Sequence, residues 1–122
     1  IHAITSGHTP LEEEAKKKSF AFADFGAIGI ETTFAALISK LGSSIDLKKI
    51  IEKLTQGPRS ILNLNIPQIK EGESANLCLF DPSIEWKYDK IYSKSKNSPF
   101  INKSFKGKVL GVINHRKFFL NE

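Results

Sequence analysis

The 122 residues suit one domain, and 40% hydrophobic with 25% charged residues excludes a largely disordered chain. Eighteen Lys and Arg against thirteen Asp and Glu leave +5, spread too thinly to mark a nucleic-acid surface by charge alone. A single cysteine excludes an internal disulfide and fits a reducing, cytoplasmic setting, and no apolar run approaches the ~20 residues that cross a bilayer.

Ile1 to Thr5 reads as a short strand running into the polar turn Ser6-Gly-His-Thr-Pro10, the kind of strand end where α/β enzymes place chemistry. Met is absent, including at position 1, and the sequence opens in mid-strand, so it reads as a piece of a longer protein. Leu11 to Lys18 predicts one or two polar helical turns, with Glu12 to Glu14 ahead of Lys16 to Lys18 in the order the helix dipole favours. Ser19 to Gly26 reads as a loop whose Phe20, Phe22 and Phe25 are spaced too irregularly for a surface helix. Their rings are expected to be buried.

From about Ile28 to Leu41 the apolar residues Ile30, Phe34, Leu37, Ile38 and Leu41 fall at helical spacing, and Gly42 supplies the stop. A second helix is predicted from Leu47 to Gln56, with Asp46 as N-cap, a stripe of Leu47, Ile50, Ile51 and Leu54, and Gly57 as its end. Pro58 then opens a short helix to about Leu62, which Asn63 closes in the left-handed conformation.

The composition changes after Pro67, and a domain boundary near residue 65 follows. Lys70-Glu-Gly-Glu73 predicts a turn, Ala75 to Phe80 a strand with Cys78 buried in it, and Asp81-Pro82 a breaker. Ile84 to Lys87 is a short strand carrying Trp86, Tyr88 to Ser93 a helical turn, and Ser93 to Lys106 a polar loop anchored by Phe100 and Phe105. Lys108 to Ile113 and Lys117 to Leu120 form a β-hairpin, with Asn114 expected to take the strained position of its turn.

His2, His8, His115 and Cys78 are far apart and form neither H-x-H nor C-x-x-C, so this chain alone offers no metal set, and His8 reads as a ligand-facing or capping residue. Glu12 to Glu14 read as a solvated helix end rather than an acid-base group. Gly26-Ala-Ile-Gly29, ahead of the main helix, could present backbone N–H groups to an anion, although a helix start needs a turn whatever it binds. Lys94, Lys96, Lys103, Lys106 and Lys108 surround aromatics, as single-stranded nucleic-acid binders do, but alternating Ser and Lys is also how a solvated loop looks. The loop reading is preferred, and a basic binding module would show salt-sensitive affinity.

Taken together and in order, several segments resemble the C-terminal portion of dihydroorotases of the long, bacterial and multifunctional-enzyme type. The opening is similar to that family's last barrel strand, I-D-A-I-A-T-D-H-A-P-H; Ala23-Asp-Phe-Gly-Ala-Ile-Gly-Ile-Glu-Thr32 resembles A-P-F-G-I-x-G-L-E-T. Gly57-Pro-Arg-Ser-Ile-Leu62 is a looser match to N-P-A-R-I-L, Ala75-Asn-Leu-Cys-Leu-Phe-Asp-Pro82 resembles A-D-L-x-L-F-D-P, and Ser93-Lys-Ser-Lys-Asn-Ser-Pro-Phe100 is close to S-K-S-K-N-T-P-F. Allantoinases and dihydropyrimidinases share parts of these patterns.

The resemblance implies an α/β fold: the end of a TIM-type (β/α)8 barrel amidohydrolase over residues 1–65, then part of a small β domain over 66–122. It implies substrate-binding roles for His8, Phe25 and Gly26. The family's catalytic Asp, which serves the metal centre and moves the proton, is Gly7 here; its second histidine is Leu11, and Asp24 replaces a Pro. No catalytic or metal residue is therefore assigned, and zinc belongs to intact family members, whose metal ligands lie on earlier strands. The expected function is a dihydroorotase-like, non-catalytic and structural part of pyrimidine biosynthesis. The alternative is an active cyclic-amide hydrolase that uses Asp24 or Glu12 as a substitute carboxylate. Expected partners are the missing N-terminal part, further copies of the chain, or aspartate transcarbamoylase, with no nucleic acid and no membrane.

Overall fold

The helices form where apolar spacing and capping agree. In the computed structural model, which describes residues 1–121, these are α1 (Glu13–Lys16), α2 (Thr33–Leu41), α3 (Leu47–Leu54) and α4 (Gln56–Ile61). Asp46 caps α3 as predicted, its carboxylate accepting from Lys48 N at 3.0 Å, and Ile50 at the centre of the apolar stripe is buried. No helix is long and apolar enough to cross a membrane among the described residues.

α2 starts five residues later than its periodicity suggests. Gly29 O instead gathers the N–H groups of Thr32 and Thr33 and the Thr33 hydroxyl, and Ile28 N donates to Asn97 O, so residues 28–32 form a turn held by the rest of the fold. Gly57 does not end α3. The break falls at Thr55, while Gly57 lies inside α4, where a Cβ would run into the carbonyl of His2. Asn63 takes the expected left-handed conformation, with φ 53°.

Residues 62–75 carry neither helix nor strand, and three antiparallel strands follow in the order β1 (Asn76–Lys87), β2 (Ser104–Asn114), β3 (Lys117–Leu120). Asp81-Pro82 does not break the first strand. Register shifts at Leu79/Phe80 and Asp81/Glu85 absorb the proline as an irregularity, and the Asp81 carboxylate accepts from Ser83 N at 2.7 Å. Cys78 is exposed rather than buried, and partial desolvation raises its thiol pKa. Tyr88 to Ser93 forms no helical turn. Tyr88 exchanges backbone hydrogen bonds with Asn102 and Lys103, which extends the pairing of β1 and β2. In the hairpin the left-handed residue is His115 (φ 53°), not Asn114, and its ring Nδ1 lies 2.7 Å from Ser74 Oγ.

The core lies between α2 and the sheet. Ala35, Tyr88 and Phe105 are buried together, with Ala36, Trp86, Ile91 and Phe100 packed around them. Phe100 meets Phe105 edge-on at 5.5 Å, the anchoring expected of the polar loop, and Phe34 meets Phe80 at 4.8 Å. Gly107, at φ 88°, lets β2 run against Ile38, and Ser39 Oγ accepts from Lys106 N at 2.7 Å. Ile1 to Thr5 forms no strand, because no ladder flanks it among the described residues. Its contacts are single hydrogen bonds, such as Ile4 N to Lys53 O at 2.8 Å.

Candidate functional site

Short polar side chains shape the turn after Thr5. Gly7 N donates to Thr5 Oγ1 at 3.1 Å, His8 N to Ser6 Oγ at 3.3 Å, and Thr9 Oγ1 to Gly7 O at 3.1 Å. Gly7 sits at φ 56°, and nothing lies within 4 Å of where its Cβ would be. Beyond it His8 makes a parallel bridge to Ala27, and Thr9 N donates to Ala27 O at 2.9 Å.

The bridge brings His8 against the turn that precedes α2. Its Nδ1 accepts from Gly29 N at 3.2 Å and from Ile30 N at 3.4 Å. A ring nitrogen that accepts N–H groups carries no proton, so the ring proton resides on Nε2, which is then a donor. Gly26 and Gly29 make the approach feasible. A Cβ on Gly26 (φ 137°) would lie 2.6 Å from Thr9 Cγ2, and one on Gly29 would meet Ser6 O.

His8, Phe25 and Gly26 are thus placed on two segments that the bridge joins. Phe25 is 94% exposed, as are Phe20 at 96% and Phe22 at 75%, against the expectation that these rings are buried. The loop is tied down through its backbone, Lys16 Nζ donating to Asp24 O at 2.5 Å and Asp24 N to Ala15 O at 3.2 Å, and α1 has no buried residue with which to cover a ring. The Asp24 carboxylate faces Lys18 Nζ at 3.7 Å.

A third segment closes the arrangement. Asn97 Nδ2 donates to Thr9 O at 2.9 Å and Gly26 O at 3.3 Å, while its Oδ1 accepts from Leu11 N at 3.3 Å. Ser95 Oγ accepts from Leu11 N at 3.0 Å and lies against both Leu11 O and Asn97 Oδ1. The Glu31 carboxylate accepts from Ser93 N at 2.8 Å, Tyr92 N at 3.0 Å and the Tyr88 hydroxyl at 3.3 Å. Burial first, and the Glu31 charge second, raise the Tyr88 pKa. Sequence reasoning passed over Ser95, Asn97 and Glu31. The signal lay in the short polar residues between the lysines of Ser93 to Asn97, not in the lysines themselves.

A groove of about 770 Å³ is lined by the clasp residues Leu11, Ser95 and Asn97 together with Pro10, Glu12, Glu13, Lys16, Ser93, Lys94 and Lys96; His8 is not in its wall. Among the described residues no three His, Cys, Asp or Glu side chains are grouped to hold a metal. The donor set of the described residues does not fit zinc. What the arrangement offers is a ring N–H beside a glycine-lined backbone loop.

No family model matches the chain. It is 41% identical over 118 residues to a dihydroorotase of Endomicrobium trichonymphae, an alignment covering 93% of this chain and 28% of that protein. A dihydroorotase of Clostridioides difficile is 39% identical over 111 residues, covering 89% and 26%, and one of Chlorobaculum tepidum 35% over 124 residues, covering 98% and 28%. The chain is related to the dihydroorotases. It spans little more than a quarter of the length of these dihydroorotases. A solved D-hydantoinase superposes on 99% of the chain and 28% of its own length with TM-score 0.80 at 19% identity, a likeness of fold. Matches to dihydroorotases that cover 96% and 98% of the chain take in the His8 turn, the Phe25–Gly26 loop and the Ser95–Asn97 clasp.

Proposed function

We propose that this chain is the C-terminal portion of a dihydroorotase-like protein of pyrimidine biosynthesis that binds a small carboxylate without hydrolysing it. In the full-length protein residues 1–65 supply the last strand and closing helices of a TIM-type barrel, Ile1 to Thr5 becoming a strand there once a neighbouring strand flanks it, and residues 66–122 supply part of a small β domain. The mixed helix-and-sheet architecture and the likeness to D-hydantoinase support that placement. The remaining strands belong to the N-terminal part of the same protein, which is the chain's first partner; self-association or aspartate transcarbamoylase would serve its structural role.

One observation carries the loss of turnover: the position of the family's acid-base Asp is Gly7, which has no side chain to take or deliver a proton. General acid-base groups contribute about 10²- to 10⁴-fold to rate. Binding chemistry remains. The Nε2–H of His8 donates to a carboxylate oxygen, and the Phe25–Gly26 backbone lines the other side. The Asp24 carboxylate is exposed and faces Lys18 Nζ at 3.7 Å, which disfavours its use as the substitute base of an active hydrolase.

The test uses the full-length protein supplied with zinc. Calorimetric binding of dihydroorotate without release of carbamoyl aspartate is expected, and robust turnover would refute the reading. In the same assay Gly7→Asp should restore measurable hydrolysis, since φ 56° is a conformation Asp tolerates and the space beside Gly7 is open.

A further inference from the structure

The two halves of the candidate site come from residues 6–11 and 25–30, and one side chain touches both. Asn97 donates to Thr9 O at 2.9 Å on one half and to Gly26 O at 3.3 Å on the other, and accepts from Leu11 N at 3.3 Å. Its main-chain carbonyl accepts from Ile28 N at 3.2 Å. A primary amide suits this task because it supplies two donors and an acceptor from one planar group. Aspartate has no donor for the two carbonyls, and serine is too short and has only one.

The spacing that Asn97 spans also sets the orientation of His8. Across the two segments Thr9 N donates to Ala27 O within the His8–Ala27 bridge, and His8 Nδ1 reaches Gly29 N and Ile30 N only while they stay in register. Thr9 and Gly26 lie 88 and 71 residues from Asn97 in sequence, so no local element fixes this geometry in its place.

We propose that Asn97 is a positioning residue: its amide holds the His8 turn and the Gly26 loop at the separation that keeps the proton on His8 Nε2 and so sets affinity for the carboxylate ligand. The inference rests on the reading that these two segments bind dihydroorotate. It acts through His8 and Gly26 and assigns Asn97 no proton to carry.

The experiment compares full-length wild type with Asn97→Ala, Asn97→Asp and, as a control for stability alone, Asp46→Ala, which removes the α3 cap on a different part of the fold. Dihydroorotate affinity is measured by calorimetry and the His8 ring by long-range ¹H–¹⁵N NMR. Both Asn97 variants should weaken binding at least about tenfold, the scale of losing hydrogen bonds that preorganise a site, and the His8 ring should lose its pure Nε2–H pattern. Asp46→Ala should lower Tm and move neither readout. Wild-type affinity or a wild-type His8 ring in Asn97→Ala overturns the proposal. If the wild-type protein binds no dihydroorotate, the functional reading fails and the ring spectrum alone decides the role of Asn97.

Discussion

Replacing Gly26 with alanine tests whether the aromatic loop is docked on the His8 turn. Gly26 has φ 137°, where an L residue is strained by about 1–3 kcal/mol. The new methyl would also stand 2.6 Å from Thr9 Cγ2 and 2.8 Å from Thr9 Cβ. Thr9 has little freedom to retreat, since its N–H is bound to Ala27 O and its hydroxyl to Gly7 O. Overpacking of this kind costs about 1–3 kcal/mol more. Gly72 provides the comparison, with φ 85° and nothing within 4 Å of its Cβ, so Gly72→Ala carries about 1–2 kcal/mol of backbone strain alone. At roughly 3–6 °C per kcal/mol for a domain of this size, the combined cost of about 2–6 kcal/mol should lower the Tm of Gly26→Ala by about 6–36 °C, and Gly72→Ala should lose about 3–12 °C. Circular dichroism melts of the two variants give the difference directly. Equal losses would mean that the Thr9 contact is absent and the loop undocked.

Gly57→Ala should destabilise the chain by about 1–2 kcal/mol despite the helix-propensity gain of about 1 kcal/mol, because the methyl collides with His2 O. A urea midpoint above wild type would contradict this. For Tyr88, burial and Glu31 raise the folded pKa above its unfolded value near 10, so its contribution is intact below about pH 10 and lost as pH rises through the folded value. The stability advantage of wild type over Tyr88→Phe should therefore shrink as pH rises above about 10 in urea titrations, and an advantage that stays constant there would rule it out.

What the sequence made legible was local. Asp46 announces its cap, Leu47 to Leu54 its stripe, Asn63 its left-handed turn and Phe100 its anchoring against Phe105, and each depends on residues close in sequence or on strong patterning. The failures are tertiary. Gly57 looks like a stop but is a glycine because His2 passes over it, and Ile28 to Thr32 look helical, yet Ile28 N donates to Asn97 O, Gly29 N and Ile30 N to His8 Nδ1, and Thr32 N to Gly29 O. Proline at Pro82 removes one donor, yet β1 continues past it through a shifted register. Phe20, Phe22 and Phe25 were expected inside on hydrophobicity alone, which says nothing of whether a neighbour exists to cover them. At the site, Gly7 and His8 stood out by chemistry, whereas Asn97 is uninformative until the fold sets it beside Thr9.

The clasp also bears on how the molecule assembles in time. Hairpin β2–β3 closes over a turn of two residues and β1–β2 over a loop of modest length, but Leu11 meets Ser95 and Asn97 at sequence separations of 84 and 86. Contacts of such separation carry their loop-closure entropy before they contribute any stability, so they form after the sheet that presents residues 93–97. The His8 turn therefore acquires its final shape late in folding, and an intact His8 environment reports that nearly the entire chain has reached its native arrangement.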